Sequence, residues 1–312
     1  MIDWSTAALT FPGQGSQSVG MSADIAAKYP AAARVFEEAD QILGYPLSRL
    51  CFDGPAETLD ETINTQPAIY TAGIATLRAL ESVHGPLTPL AAAGHSLGEF
   101  TALTAVGALP FESGLRLVQE RARLMKEAGE ASPGAMAALL GLTVDEARAV
   151  CEQASAEVGR PVVVANDNCP GQVVISGDNE AMDRALPLAK ERGAKRAVKL
   201  AVSIAAHSPL MGHAVESFRT ALAATPFDAP RVPIIGNVTA APLRTTSDIR
   251  AELDAQLTSS VRWTESVREL RALGVMVFAE LGPKDVLTGL LKRIDREAVG
   301  VAINSAAAVE GA

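Results

Sequence analysis

Cysteine, positive charge and long apolar runs are all scarce in this sequence of 312 residues. Three cysteines, without CxxC or Cys/His metal spacing, predict a reduced cytoplasmic protein with no structural metal. Lys and Arg number 27 against 36 Asp and Glu, and this net charge of −9 argues against a nucleic-acid partner. No apolar run approaches the roughly 18 residues of a membrane span. The N-terminus has Asp3 and no basic stretch, so neither a signal peptide nor a membrane partner is predicted.

The apolar residues are instead distributed in short runs that alternate with helical patterns. This arrangement, with 48% hydrophobic and 20% charged residues, is typical of a globular α/β chain with a largely parallel sheet. We expect strands at 7–11, 90–93 and 275–281, and a helix starting at Leu97. The residues 306–312 are small, and we expect a disordered tail there.

The segment 131–201 has a pattern of its own. Strands are expected at 135–142, 162–165, 172–176 and 195–202, with a turn at 166–171. Thr143 is expected to cap a helix that runs to Ala154, and a second helix is expected from Asn179 to Arg192. The order β-α-β-β-α-β is that of a ferredoxin-like unit. We therefore predict a small ferredoxin-like domain at 131–201, inserted between residues 1–130 and 202–312 of a large α/β domain.

The pentapeptide from Gly94 to Gly98 fits the G-x-S-x-G pattern of a nucleophile elbow. A short apolar run precedes it and a helical run follows it, as an elbow requires. Glycines are needed because side chains beside the sharp turn would clash, and the helix start offers free N–H groups near the serine oxygen. Ser96 is the candidate nucleophile; the alternative is a glycine-rich turn with an idle serine.

A nucleophilic serine needs a base, and the chain has four histidines. His84 lies in a His-Gly-Pro turn, and His95 adjoins the serine and points away from it. His213 falls on the polar face of the helix that follows Ser208-Pro209. His207 remains, at the end of an apolar run where α/β folds place their chemistry. The alternative is a buried histidine with a structural hydrogen bond.

Arg121 lies in the middle of the apolar arc of the helix around 115–125. A guanidinium that points into a core is costly unless it is paired. Two interpretations remain open: an internal ion pair, or a socket for a substrate carboxylate, which matches the planar fork of arginine.

The loop 11–17 (FPGQGSQ) resembles the start of a dinucleotide fingerprint, but Ser18 replaces the third glycine, so no nicotinamide site is predicted. A tight loop that directs the Gln14 N–H at a neighbouring site fits better.

A local basic patch lies at the end of the inserted unit, on an otherwise acidic chain. Its members are Arg184, Lys190, Arg192, Lys195, Arg196 and Lys199. They form either a solvated face or a dock for an acidic partner or nucleotide phosphates.

Seven segments occur in a characteristic order: FPGQGSQ, GHSLGE, QERARLM, NDNCPGQVVISG, AAHSPLM, QLTSSVRW and ELGPKDVLTGLLKRI. Together, across residues 8 to 295, they resemble the malonyl-CoA:acyl carrier protein transacylase family. The resemblance implies an α/β-hydrolase-like large domain with a ferredoxin-like insertion. It also implies malonyl-CoA and acyl carrier protein as partners, with coenzyme A thioester as substrate and no tightly bound cofactor.

The resemblance further implies a role for each matching residue. Ser96 would be the nucleophile, His207 its base, and Arg121 the holder of the malonyl carboxylate. The main-chain N–H groups of Gln14 and Leu97 would bind the oxyanion. Gln256 would orient His207, in place of the Asp of a hydrolase triad. Beside these matched positions, we expect Asn168 and Ala206 to be pocket walls, and Lys195 and Arg196 of the basic patch to dock the carrier.

Two positions depart from the family pattern. Ala122 follows Arg121 where glycine is common, and Ala206 precedes His207 where malonyl-selective members often have an aromatic residue. Ala206 would enlarge the acyl pocket, which leaves strict malonyl selectivity open. Alternatives also remain for the function: a trans-acting polyketide acyltransferase, an acyl hydrolase, or a non-catalytic carrier-binding module.

Overall fold

The computed structural model describes residues 2–202 and 204–312. The strands are β1 (Ala7–Phe11), β2 (Ala91–Gly94), β3 (Gly134–Leu140), β4 (Val162–Cys169), β5 (Gln172–Asp178), β6 (Arg196–Lys199), β7 (Ile234–Ile235), β8 (Pro242–Leu243), β9 (Val277–Leu281) and β10 (Val299–Ile303). The helices are α1 (Ala23–Lys28), α2 (Pro30–Leu43), α3 (Leu47–Asp53), α4 (Ala56–Leu59), α5 (Thr62–His84), α6 (Gly98–Ala105), α7 (Phe111–Ala131), α8 (Val144–Val158), α9 (Asn179–Glu191), α10 (Gly212–Ala224), α11 (Thr246–Gln256), α12 (Trp263–Ala272), α13 (Val286–Ile294) and α14 (Ala306–Gly311).

A six-stranded sheet with the order β10-β9-β1-β2-β7-β8 forms the centre of the large domain. Its first five strands run parallel, and β8 pairs antiparallel with β7. Both faces are buried: Leu9 and Phe11 pack into one cluster, whereas Ala8 packs into another with Trp263. Burial of both faces is what the short continuous apolar runs indicate, and the predicted α/β class is confirmed.

A second sheet with the order β4-β5-β3-β6 is antiparallel throughout and packs against α8 and α9. Its element order is the predicted β-α-β-β-α-β. The expected cap at Thr143 is present as a capping box with Glu146. The boundaries at 130/131 and 201/202 stay a prediction.

Two local predictions were wrong. The turn expected at 166–171 is mostly strand, because β4 continues to Cys169 and Asp167 N–H donates to the Val261 carbonyl 2.9 Å away. The expected disordered tail is helix α14, with Ser305 as its N-cap and Val309 buried.

None of the helices in the described part of the chain combines the length and apolar character needed to cross a membrane.

Candidate active site

Ser96 occupies the sharp turn between β2 and α6. Its φ of 52° lies in the left-handed region, which is strained for a serine. The flanking glycines have no room for a side chain: a Cβ on Gly94 would lie 1.9 Å from the carbonyl carbon of Gly98, and one on Gly98 would lie 2.0 Å from the Phe11 carbonyl oxygen. The strand–turn–helix context expected of a nucleophile elbow is therefore present, with the steric need for both glycines.

His207 lies on the segment that returns from the small domain and is buried beside the elbow. The Ser96 hydroxyl and His207 Nε2 are 2.8 Å apart. On its other side, Nδ1 lies 2.9 Å from the Gln256 carbonyl and 3.1 Å from the Ser259 carbonyl. Because carbonyls only accept, Nδ1 carries the proton and Nε2 is free to accept the serine proton. Burial, together with the Arg121 charge, lowers the pKa of His207 to about 3, so the ring is a neutral base at pH 7.

Gln256 contacts His207 through its main-chain carbonyl, in the place that a carboxylate takes in a hydrolase triad. The side chain expected there by analogy with the hydrolase Asp turns elsewhere. Its Oε1 accepts from Arg121, and its Nε2 donates to the Ser96 carbonyl and to Glu99. The residue expected from the sequence is present, but a different atom makes the contact.

Arg121 projects from α7 into the site and is only 1% exposed. Nη1 donates to Gln66 at 2.7 Å, and Nη2 donates to Ser96 Oγ at 3.1 Å and to Gln256 Oε1 at 3.0 Å. Nε has no partner among the described residues, and no carboxylate there forms an ion pair with the guanidinium. Burial lowers the pKa of Arg121 to about 10, opposed by the charge of Glu99, so the guanidinium stays protonated at neutral pH. The internal ion-pair interpretation of Arg121 thus lacks a direct partner in the described chain.

The two main-chain N–H groups expected to bind an oxyanion lie on the loop after β1 and at the start of α6. Within the described residues, neither Gln14 N–H nor Leu97 N–H has a hydrogen-bond acceptor. In contrast, Ser96 N–H donates to Asn237 Oδ1 at 2.6 Å. The Gln14 loop packs tightly on the elbow, since a Cβ on Gly13 would lie 2.5 Å from the His95 carbonyl oxygen. Gln14 and Leu97 thus remain available as a donor pair.

A cleft of about 850 Å³ runs from the surface to Ser96 and is lined by both domains. Asn168 and Ala206 both line it, as expected of pocket walls. Asn168 Oδ1 also lies 2.8 Å from His95 Nε2, which ties the small domain to the elbow. Further lining residues include Gln14, Met125, Met136, Leu200, Ile204 and Leu290.

Lys195 and Arg196 are exposed at the start of β6, outside the cleft lining. Other members of the basic patch are engaged: Arg184 pairs with Glu157 and Lys199 with Asp183. His213 is exposed on α10, as its helical phase predicts.

Three residues of the site were not predicted from the sequence: Gln66, Glu99 and Asn237. Gln66 and Glu99 are fully buried, and Asn237 is 1% exposed. Glu99 had a usable signal, because it is an acid in the otherwise uncharged helix GEFTALTA. Gln66 and Asn237 are neutral and carry no comparable signal.

The chain is similar to known proteins along nearly its whole length. The family model described as acyl transferase domain matches residues 9–309. The malonyl CoA-acyl carrier protein transacylase of Bacillus subtilis (strain 168) is 44% identical, over 98% of this chain and 96% of the relative. A crystal structure of an acyl carrier protein S-malonyltransferase from Vibrio cholerae superposes with a TM-score of 0.95 at 43% identity, covering 98% of this chain and 99% of that chain. A further solved structure matches with a TM-score of 0.94 at 41% identity, with 98% of each chain covered. That structure is of a type II PKS acyl-carrier protein in complex with its malonyl-transacylase. The chain therefore belongs to the malonyl CoA-acyl carrier protein transacylase family.

Proposed function

We propose that this protein transfers a malonyl group from malonyl-CoA to the phosphopantetheine thiol of acyl carrier protein, for fatty acid or polyketide synthesis. One observation carries the proposal: Ser96 Oγ lies 2.8 Å from His207 Nε2 and 3.1 Å from Arg121 Nη2. A nucleophile, a base and a cation thus meet at one point of the cleft. The relatives named above, which are malonyl transferases, support the same chemistry.

In the first half-reaction, His207 Nε2 takes the proton of Ser96 as Oγ attacks the thioester carbonyl of malonyl-CoA. The developing oxyanion accepts hydrogen bonds from Gln14 N–H and Leu97 N–H, which have no acceptor in the described chain. Collapse of this intermediate breaks the C–S bond, and His207 returns its proton to the departing coenzyme A sulfur. The product is a malonyl ester on Ser96.

In the second half-reaction, the thiol of acyl carrier protein gives its proton to His207 and attacks the ester carbonyl. The C–O bond to Ser96 breaks, and the serine oxygen recovers the proton. Because coenzyme A leaves before the carrier thiol reacts, the kinetics are ping-pong.

Arg121 holds the free carboxylate of the malonyl group. Its Nε–H has no acceptor in the described chain, so the buried guanidinium has capacity left for a substrate carboxylate. Ala206 lines the acyl pocket and leaves more space than an aromatic side chain would. We place the enzyme in the cytoplasm, where its three free, buried cysteines would remain reduced.

The test is intact mass of the protein after mixing with malonyl-CoA. We expect a gain of one malonyl group, which disappears when acyl carrier protein bearing phosphopantetheine is added and reappears on the carrier. Ser96→Ala is the matched control and should gain nothing. Rapid release of free malonate without an adduct would indicate a hydrolase instead, and binding of carrier without either product would indicate a non-catalytic module.

A further inference from the structure

Glu99 is a fully buried carboxylate in the first turn of α6, three residues after the nucleophile. Both of its oxygens accept hydrogen bonds from the site's framework. Oε1 accepts from the main-chain N–H of Asn237 at 3.0 Å, and Oε2 accepts from Gln256 Nε2. The mechanism proposed above makes no use of this group, although burial of an acid is costly and needs a reason.

The contact with Gln256 decides which way the Gln256 amide points. Its Nε2 end donates to Glu99 and to the Ser96 carbonyl, and its Oε1 end accepts from Arg121 Nη2. An amide has one donor end and one acceptor end. With the donor end held by Glu99, the acceptor end faces Arg121.

We propose that Glu99 is a positioning residue for acyl selectivity, which acts through the Gln256 amide to hold the Arg121 guanidinium beside Ser96. This inference rests on the proposed role of Arg121 as the carboxylate socket. Asn237 N–H and Gln256 Nε2 are both donors, so a carboxylate accepts from both of them at once.

An amide at position 99 could not replace the carboxylate. The main-chain N–H of Asn237 cannot turn, so the amide oxygen would stay on it and the NH₂ end would face Gln256. Gln256 would then have to flip to accept from that end. The flip would place the Gln256 oxygen against the Ser96 carbonyl and its NH₂ against Arg121 Nη2, so two hydrogen bonds would become repulsive contacts.

The arrangement also separates the Arg121 guanidinium from the Glu99 carboxyl group by one amide. A carboxylate bonded directly to the guanidinium would occupy the fork that the substrate needs. Burial and the charge of the neighbouring Glu252 raise the pKa of Glu99 well above its usual range, whereas the hydrogen bonds from Gln256 and Asn237 and the charge of Arg121 oppose this shift.

The test compares Glu99→Gln with Glu252→Gln. Glu252 is also buried, accepts from the main-chain N–H groups of Val238 and Thr239, and lies on the same helix as Gln256 without bonding to Gln256 or Arg121. The quantities to be measured are kcat/KM for malonyl-CoA and kcat/KM for acetyl-CoA, both from acylation of Ser96. Glu99→Gln should lower the malonyl-to-acetyl ratio about tenfold to a hundredfold, the equivalent of one charge-assisted hydrogen bond. Glu252→Gln should leave the ratio within about twofold. An unchanged ratio in Glu99→Gln would overturn the inference.

A double-mutant cycle tests the route through Gln256. Gln256→Met keeps the main-chain carbonyl that holds His207 and removes the amide, so it should lower the ratio as Glu99→Gln does. The malonyl-to-acetyl ratio of the double variant should be no lower than that of the more affected single variant, because both changes break the same link. Additive losses would overturn the inference. If Glu99→Gln does not fold, Gln256→Met alone tests the inference, and an unchanged malonyl-to-acetyl ratio in Gln256→Met would overturn it.

Arg121→Ala, run in parallel, separates the two proposals. If it leaves the ratio unchanged, the carboxylate socket itself is wrong. If Arg121→Ala lowers the ratio and Glu99→Gln does not, only the inference about Glu99 fails.

Discussion

His207 should remain a competent base well below the pH at which an ordinary histidine is protonated. Burial disfavours the charged imidazolium, and the Arg121 guanidinium repels it, so the pKa falls from 6.5 to about 3. The hydrogen bonds from Nδ1 to the carbonyls of Gln256 and Ser259 act in the opposite direction and are weaker. Acylation should therefore lose its base only in strong acid.

The size of the effect follows from the two pKa values. For a base of pKa 6.5, only about 3% is neutral at pH 5, so the rate would fall roughly 30-fold between pH 7.5 and pH 5. With a pKa of about 3, nearly all of His207 is neutral across that range. We expect the rate to change by less than about twofold.

The assay is single-turnover acylation with excess enzyme and acetyl-CoA, followed by intact mass. Acetyl-CoA is chosen because its acyl group has no carboxylate that could titrate. Among the other histidines, burial also lowers the pKa of His95, and His213→Ala serves as a control on the exposed surface. An acid limb with a midpoint near pH 6.5 would refute the assignment of a neutral, buried base.

Two variations identify the cause. Arg121→Gln removes the charge repulsion that, after burial, lowers the pKa of His207 most. The acid limb should therefore move to higher pH, but its midpoint should stay below 6.5 because His207 remains buried. With malonyl-CoA as donor, two further carboxyl groups can titrate: that of the malonyl group, and Glu99, whose pKa is raised by burial and by Glu252. An acid limb seen only with malonyl-CoA belongs to Glu99 if Glu99→Gln removes it, and to the malonyl carboxyl group if it persists in that variant.

Three further variants test the remaining roles. Ser96→Ala should abolish the malonyl adduct in intact mass while the melting temperature stays nearly unchanged, and an adduct of undiminished yield would contradict the assignment. Arg121→Ala should lower kcat/KM for malonyl-CoA by about two to four decades, since two charge-assisted hydrogen bonds of about 1.5–3 kcal/mol each are lost. The kcat/KM for acetyl-CoA should fall only a little. A lower melting temperature and equal losses of kcat/KM with both donors would point to a structural role. Replacing both Lys195 and Arg196 by Glu should slow transfer to acyl carrier protein and leave acylation by malonyl-CoA less affected. Stopped-flow kinetics at low salt would measure the two rates. An unchanged rate of transfer would indicate that the patch is a solvated face.

Features governed by short-range sterics were predictable from the sequence. The elbow at Ser96 needs glycines on both sides, and the close approaches at Gly94 and Gly98 explain why the pattern is informative. The exposed position of His213 followed from helical phase alone. His207 emerged by elimination among four histidines, which was feasible only because the chain has so few.

Features that depend on distant partners were not predictable in this way. Strand β4 continues through a segment rich in turn-forming residues because Asp167 pairs with Val261, which is far away in sequence. Helix α14 is held by a hydrogen bond from Ala306 N–H to Asp24 and by the contact of His84 Nε2 with the Val309 carbonyl. Neither partner can be inferred from the small residues of the C-terminal segment itself.

The orientation of His207 illustrates a more general limit. Its Nδ1 is held by main-chain carbonyls, which every residue possesses, so the contact leaves no residue-type signal at Gln256 or Ser259. The Gln256 side chain does leave a signal, but for a different task, the link between Arg121 and Glu99. Resemblance to a family can therefore indicate the right residue without indicating which of its atoms acts. Only the folded arrangement separates the two functions of Gln256, and it does so in a way that substitution can test, because a side-chain change removes one contact and leaves the other in place.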